Sequence, residues 1–184
     1  RYVNDVSFTH FAEYFTEIHG KTWGIIGLGA IGRRVAEIAR AFGAKVIYYS
    51  ASGAPAQEGY EQVDFETLLT QSDIISVHAP LNEHTEGLIN SKAFEKMKSS
   101  CIFLNLGRGP IVDEQALYNA LVRNQIAAAG LDVLCKEPMS ADNPLLKIKD
   151  SKRLLITPHI AWASVEARTH LMEIIHGQVK DFFA

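Results

Sequence analysis

The sequence predicts an α/β domain: a doubly wound parallel sheet with helices on both faces. Three observations lead there. Six apolar runs of strand length recur along the 184 residues, most of them separated by segments of helical period. A glycine-rich turn follows the first run directly and opens the first helix. Nearly every residue with chemical capacity falls just past the carboxyl end of a run, where open α/β sheets hold their ligands. Right-handed crossovers then give the strand order 3-2-1-4-5-6.

Taken in order, Trp23–Gly27 reads as the first strand and Ala30–Phe42 as the helix after it. Lys45–Tyr49 is the second strand. Asp64 can accept a bond from a free first-turn N–H, so it caps a short helix over Phe65–Thr70. Ile74–His78 is the third strand, Ser91–Lys98 a short helix and Cys101–Asn105 the fourth strand. Asp113 caps a helix that runs to Arg123. Ala127–Leu131 and Leu154–Thr157 complete the six strands. A last helix runs from Val165 to Phe182, with Leu171, Ile174, Ile175, Val179 and Phe182 on one face at three- and four-residue spacing.

The composition is that of an ordinary globular chain, 47% hydrophobic and 21% charged, long enough to bury a core without disulfides. A net charge of -3 argues against a broad nucleic-acid surface or a polybasic membrane anchor. No apolar run approaches the roughly 18 residues of a membrane helix, and the first residues hold no apolar signal core. The two cysteines, Cys101 and Cys135, form no CxxC pair, which fits a reducing cytoplasm and no metal site. Cys135 reads as a small buried residue, not a nucleophile. The chain opens on Arg1, and Phe8, Phe11, Tyr14 and Phe15 are spaced like an apolar stripe. Both features are expected of a piece of a longer protein, with removal of a leader or tag as the plain alternative. Residues 1–20 are expected to be an entry helix or linker and 21–184 the ligand-binding domain.

The glycine turn is Gly27-Leu28-Gly29-Ala30-Ile31-Gly32. Gly27 permits the tight turn, Gly29 lets backbone approach a pyrophosphate, and Gly32 lets the helix pack close to the strand. Free N–H groups near Ala30 and Ile31, with the helix dipole, would hold the phosphates. This is the Rossmann dinucleotide-binding pattern, although flavin enzymes share it and methyltransferases use related loops. An acidic residue at the end of the second strand would hold the adenosine ribose, but the position is Ser50. No Arg or Lys follows in 51–59 to attract a 2′-phosphate. Ser50 and Ser52 can bond either ribose, so NAD(H) is expected, with NADP(H) left open.

Four segments of the second half each end a predicted strand: His78-Ala79-Pro80-Leu81, Asn105-Leu106-Gly107-Arg108-Gly109, Gly130-Leu131-Asp132-Val133 through Glu137-Pro138, and Thr157-Pro158-His159-Ile160. In these motifs, met in this order, the chain closely resembles the D-isomer-specific 2-hydroxyacid dehydrogenases, among them phosphoglycerate dehydrogenases and glycerate or hydroxypyruvate reductases. The resemblance runs from about Gly20 to Arg168 and implies a coenzyme lobe without its substrate lobe. It implies that Arg108 grips a substrate carboxylate, that His159 is the general acid and base, and that Glu137 orients it. The chemistry supports each assignment. Hydride transfer to a 2-keto acid leaves charge on the carbonyl oxygen, and an imidazole, with an ordinary pKa of about 6.5, can protonate it. A carboxylate stabilises the protonated ring, and a guanidinium fork matches a carboxylate.

By the same resemblance, Asp132 accepts a bond from the nicotinamide carboxamide, and Pro80 and Thr85 lie near the adenosine half. Leu106 and Gly107 meet the coenzyme by backbone, and Ala161 and Trp162 lie near the nicotinamide, although packing at a lobe or subunit surface would serve Trp162 equally. Singly, each of these residues has a plain reading as a solvated charge, a turn residue or a helix cap. Ile160-Ala161-Trp162 resembles the glycerate and hydroxypyruvate reductases somewhat more than the phosphoglycerate dehydrogenases. A reading of another class is a dinucleotide-sensing regulatory module like the C-terminal-binding corepressors, which resemble the same family and keep an Arg, Glu and His set. The partners expected are a dinucleotide, a small 2-keto or 2-hydroxy acid in a full-length parent, and a second copy of the chain, with no nucleic acid or membrane.

Overall fold

In a computed structural model, which describes residues 15–150 and 152–183, seven parallel strands form one sheet in the order β3-β2-β1-β4-β5-β6-β7. The strands are β1 (Thr22–Ile26), β2 (Lys45–Tyr49), β3 (Glu61–Gln62), β4 (Ile74–Val77), β5 (Ile102–Asn105), β6 (Ala128–Leu131) and β7 (Leu154–Ile156). The helices are α1 (Ala30–Ala41), α2 (Phe65–Gln71), α3 (Ser91–Lys96), α4 (Glu114–Val122) and α5 (Val165–Phe183). Each strand and helix predicted from residue 21 onward is present, with ends shifted by a residue or two, while the expected entry segment 1–20 lies mostly outside the described residues. Both predicted caps form: Asp64 accepts from the Thr67 N–H at 2.7 Å, and Asp113 from the N–H groups of Gln115 and Ala116.

The strand order corrects the sequence reading in one respect. Six strands in the order 3-2-1-4-5-6 would put Ile74–His78 outside the second strand. The structure places the two-residue β3 there, pairing Ile47 with Glu61 and Tyr48 with Gln62. Ile74–Val77 instead lies against the other side of β1. The Tyr48 hydroxyl donates to Gln62 Oε1 at 2.9 Å and helps hold the short strand in place. The chain therefore reverses direction across the sheet between β1 and β4, and a crevice opens there at the carboxyl edge.

Alternation along the strands splits the core in two. Ile25, Val46 and Tyr48 face α1, where Ala36 and Ala39 meet them. Ile26, Ile75, Phe103 and Leu131 face the other way, under α2, α3 and α4. The face that α1 covers continues across β5 to β7 through Leu104, Gly130 and Leu155, which register side by side. Among the described residues no helix packs there: Leu155 is 62% exposed. Nor does α5 bury any side chain, so its predicted apolar face, from Leu171 to Phe182, lies open. Of the N-terminal aromatic stripe, Phe8, Phe11 and Tyr14 lie outside the described residues, and Phe15 is exposed.

The edge strand β7 is tied to the core through Arg153. Its guanidinium donates to the carbonyls of Ala127 (2.6 Å), Leu121 (2.7 Å) and Ile126 (3.2 Å), and to Asn124 Oδ1 (2.8 Å). A cation there also meets the negative end of the α4 dipole. Arg153→Met keeps the aliphatic stem but removes all four bonds that the guanidinium donates. It is expected to cost about 2 kcal/mol and to lower Tm by about 6 °C, measured by thermal denaturation. An unchanged Tm would refute the role.

Candidate functional site

The glycine loop takes the shape its residues predict. Gly27 has φ +92°, and a Cβ on it would stand 2.7 Å from the backbone nitrogen of Ala79. Only glycine adopts this conformation in that space without strain. A Cβ on Gly32 would stand 2.2 Å from the Gly27 carbonyl oxygen, so α1 starts in direct contact with the turn. Beside Gly29 nothing lies within 4 Å of an added Cβ. The backbone there is bare, next to exposed Ala30 and Ile31 and the first-turn N–H groups of a twelve-residue helix. An open approach beside a helix N-terminus fits a pyrophosphate in shape and charge.

From this loop a cleft of about 270 Å³ runs along the crevice between β1 and β4, lined in part by Gly27, Gly29, Ser50, His78, Pro80 and Thr85. Ser50 Oγ lies 3.1 Å from Ser52 Oγ. Gln57 folds the 50–57 loop back over the turn, with its Nε2 donating to the Leu28 carbonyl at 2.8 Å and its N–H to the Tyr48 hydroxyl at 2.8 Å. The buried hydroxyl of Thr85 donates to the Pro80 carbonyl at 2.7 Å and accepts the Asn82 N–H, so it shapes the loop after β4. His78 Nε2 pairs with Ser76 Oγ at 3.1 Å, and burial holds the imidazole below its ordinary pKa. Neither Gln57 nor His78 was singled out as a ligand-facing residue, because an isolated Gln or His carries no spacing signal.

A second hollow, of about 540 Å³, opens past β6 and β7 and is lined in part by Asp132, Leu134, Glu137, Met139 and His159. Glu137 Oε2 lies 2.7 Å from His159 Nδ1, and Glu137 Oε1 accepts the Leu134 N–H at 2.8 Å. The bond from His159, then that from Leu134, holds the Glu137 carboxyl below its ordinary range, so it is ionised at neutral pH. His159 Nε2 has no hydrogen-bond partner among the described residues.

Asp132 sets the loop that carries His159. Its Oδ1 accepts from the Thr157 hydroxyl (2.5 Å) and the Ile160 N–H (2.9 Å), and its Oδ2 from the Ala161 N–H (2.9 Å). His159 itself has φ +55°, in the left-handed region. The Trp162 indole N–H donates to the His159 carbonyl at 2.9 Å and closes the turn. Burial pushes the Asp132 carboxyl up, but the bonds from Thr157, Ala161 and Ile160, with the charge of His159, outweigh it and hold the pKa below the ordinary value.

Arg108 stands on the same edge, after β5, but lines neither hollow. Its Nη1 turns back onto the Gly107 carbonyl at 2.8 Å. Buried Asn105 shapes that loop, accepting the Gly107 N–H and donating to the Arg108 carbonyl. A Cβ on Gly109 would stand 1.9 Å from the Leu134 carbonyl, so the Arg108 loop rests directly on the segment leading to Glu137. Glu114 braces that segment, accepting the Cys135 N–H and the Asn143 amide. Asn105, Gly109 and Glu114 were not read as site-forming; the signal for the first two was their place in the Asn105–Gly109 motif. Leu106 is exposed, and Gly107 packs against the Ala79 carbonyl. Cys135 is exposed, not buried as expected, because Gly109 and Glu114 seat its backbone rather than its side chain. Its sulfur is nevertheless partly covered, donating to the Val112 carbonyl at 3.4 Å, and that partial burial, then the charge of Glu114, pushes its pKa to about 11, so it is no nucleophile.

Asp132→Ala is expected to cost about 2 kcal/mol and to free the 157–161 loop, since it leaves buried donors without an acceptor. The depressed pKa sets the sign with pH. The stabilisation from Asp132 is present above the unfolded value of about 3.9 and lost as pH falls through the lower folded value. Acid titration of Trp162 emission should therefore show a transition below about pH 4 that Asp132→Ala lacks. The same transition in both proteins would refute the assignment.

No helix among the described residues is long and apolar enough to cross a membrane, and they hold no cluster of metal-binding side chains. Residues 2–161 match the family model "D-isomer specific 2-hydroxyacid dehydrogenase, NAD binding domain". The chain is 46% identical over 168 residues to a hydroxypyruvate reductase of Blautia hydrogenotrophica, covering 90% of this chain and 51% of that protein. It is 40% identical to a putative 2-hydroxyacid dehydrogenase of Haemophilus influenzae over 184 residues, 99% of this chain and 58% of that one. Among solved structures it resembles the D-lactate dehydrogenase of Aquifex aeolicus complexed with NAD and lactic acid, with TM-score 0.87 and 31% identity, covering 99% of this chain and 59% of that one. It likewise resembles an acyclic imino acid reductase in complex with NADPH and D-Arg, with TM-score 0.86 and 37% identity, covering 99% and 57%. The chain thus spans about half the length of these relatives. It belongs to the D-isomer-specific 2-hydroxyacid dehydrogenases and carries their NAD-binding domain.

Proposed function

We propose that this chain is the coenzyme lobe of an oxidoreductase that moves a hydride between a nicotinamide dinucleotide and a small D-2-hydroxy or 2-keto acid. Residues 21–184 are its coenzyme-binding unit and 1–20 the segment leading into it. The observation that carries the reading is the Glu137–His159 pair, 2.7 Å apart on the carboxyl edge of a sheet whose glycine loop fits a pyrophosphate. The bound dinucleotide supplies or accepts the hydride. The chain's own residues do the rest. Gly27, Gly29, Gly32, Ala30 and Ile31 hold the phosphates, and Ser50, Pro80 and Thr85 border the adenosine.

His159 Nε2 protonates the carbonyl oxygen of the keto acid and takes the proton back in the oxidation direction. Glu137 holds Nδ1 and offsets the positive charge of the protonated ring. Arg108 swings from the Gly107 carbonyl to the substrate carboxylate, where its fork makes two charge-assisted bonds. Asp132 positions His159 through the loop and offers its carboxylate to the nicotinamide carboxamide. Leu106, Gly107, Ala161 and Trp162 border the nicotinamide side. The lobe that would close over the substrate lies outside these residues, so the isolated chain binds coenzyme without efficient turnover.

A full-length two-lobed parent assayed with hydroxypyruvate and reduced coenzyme should turn over. His159→Gln should lower kcat about 100- to 10,000-fold, the usual contribution of a positioned general acid. Arg108→Lys should act mainly on KM, since ammonium cannot reproduce the two-point grip. Turnover that survives His159→Gln would overturn the mechanism. We further propose that the lobe pairs with a second copy of itself. The exposed apolar Phe15 and the unpacked faces of β5 to β7 and α5 support this. Sedimentation at micromolar concentration should give the mass of a dimer, and a monomer mass would refute it.

A further inference from the structure

Resting on that dinucleotide reading, we propose that Arg33, with the hydroxyls of Ser50 and Ser52, binds the 2′-phosphate of a phosphorylated dinucleotide and makes NADPH the preferred coenzyme. The cation comes from the helix, not from the loop after β2. Arg33 lies in the second turn of α1, directly after Gly32, and its Nη1 reaches to 3.5 Å from Gln57 Oε1. Gln57 lines the adenosine cleft together with Ser50 and Ser52. Its own amide is held by the Leu28 carbonyl, and the long contact to Arg33 leaves the guanidinium beside the residue that borders the cleft, free to turn toward it.

The electrostatics of that rim favour an anion. No Asp or Glu is among the residues lining the cleft, so nothing there repels a phosphate. The other two arginines of α1 are engaged elsewhere: Arg34 pairs with Glu37 at 2.6 Å, and Arg40 donates to the Gly59 carbonyl and covers the Tyr60 ring. Among the described residues Arg33 meets only a neutral amide oxygen at long range, a partner that a dianion readily displaces. Ser50 Oγ and Ser52 Oγ, 3.1 Å apart, form a two-hydroxyl edge that suits phosphate oxygens as donors. An unphosphorylated ribose would leave the guanidinium without a charged partner.

The test uses adenosine-half probes, which do not depend on a substrate lobe. Calorimetric titration of the chain with 2′,5′-ADP and with 5′-ADP should show the former binding about tenfold tighter, as expected for charge-assisted bonds at an exposed site. Raising the salt should erode that advantage. In Arg33→Gln the ratio of the two affinities should collapse toward one. NADPH and NADH, followed by Trp23 and Trp162 fluorescence, should repeat the pattern. Equal affinities in the unaltered chain, or a ratio that survives Arg33→Gln, would overturn the assignment and leave the dinucleotide reading standing. Failure of all four ligands to bind would overturn both.

Discussion

One buried carboxylate organises the carboxyl edge of the sheet past β6 and β7. Asp132, 7% exposed, ends β6 and gathers the Thr157 hydroxyl and the N–H groups of Ile160 and Ala161, all from the loop after β7. Between those anchors His159 takes a left-handed backbone conformation, which costs a non-glycine residue of order 1 kcal/mol. Three bonds to an ionised acceptor outweigh that cost. The same turn brings the imidazole to Glu137, whose second oxygen is held by the Leu134 N–H. Two adjacent strands thus present a carboxylate and an imidazole in one fixed relation.

That relation depends in turn on close backbone contacts that only glycine allows. Gly109 lets the loop after β5 sit on the Leu134 carbonyl, which couples the position of Arg108 to that of Glu137. Gly27 and Gly32 do the same at the other end of the edge, pressing the turn, α1 and the loop after β4 together. The cleft beside the glycine loop and the hollow beside His159 therefore lie along one edge, and the sheet beneath them sets their spacing. Arg108 is the exception. Its guanidinium rests on the carbonyl of its own loop and lines neither hollow.

The strands, their helices and the caps at Asp64 and Asp113 were legible because burial on one face imposes a period that survives in sequence. The two-residue β3 was not, since two residues have no period, and its absence from the reading displaced Ile74–Val77 by two places in the sheet. The residues proposed to be catalytic, Arg108, Glu137 and His159, were legible by type and by their place after strands. The residues that position them were not: Asn105, Glu114 and Gln57 act through single bonds to backbone distant in sequence. Nor were the bonds of Asp132 to the loop of His159, which join residues 25 or more positions apart. The exposure of Cys135 was likewise invisible, because a small apolar-looking side chain beside a glycine contact carries no burial signal of its own.

The order of residues by itself determined the layering, the phosphate turn and which chemical groups end each strand, because those follow from local period and backbone sterics. Tertiary structure alone decided which of those groups meet. Glu137 and His159 stand 22 residues apart in the chain and 2.7 Å apart in space, and Arg33 on α1 comes within 3.5 Å of Gln57 on the loop after β2. Such distances are set by how strands register and how closely glycines let loops approach, and neither quantity is written at any single position of the chain.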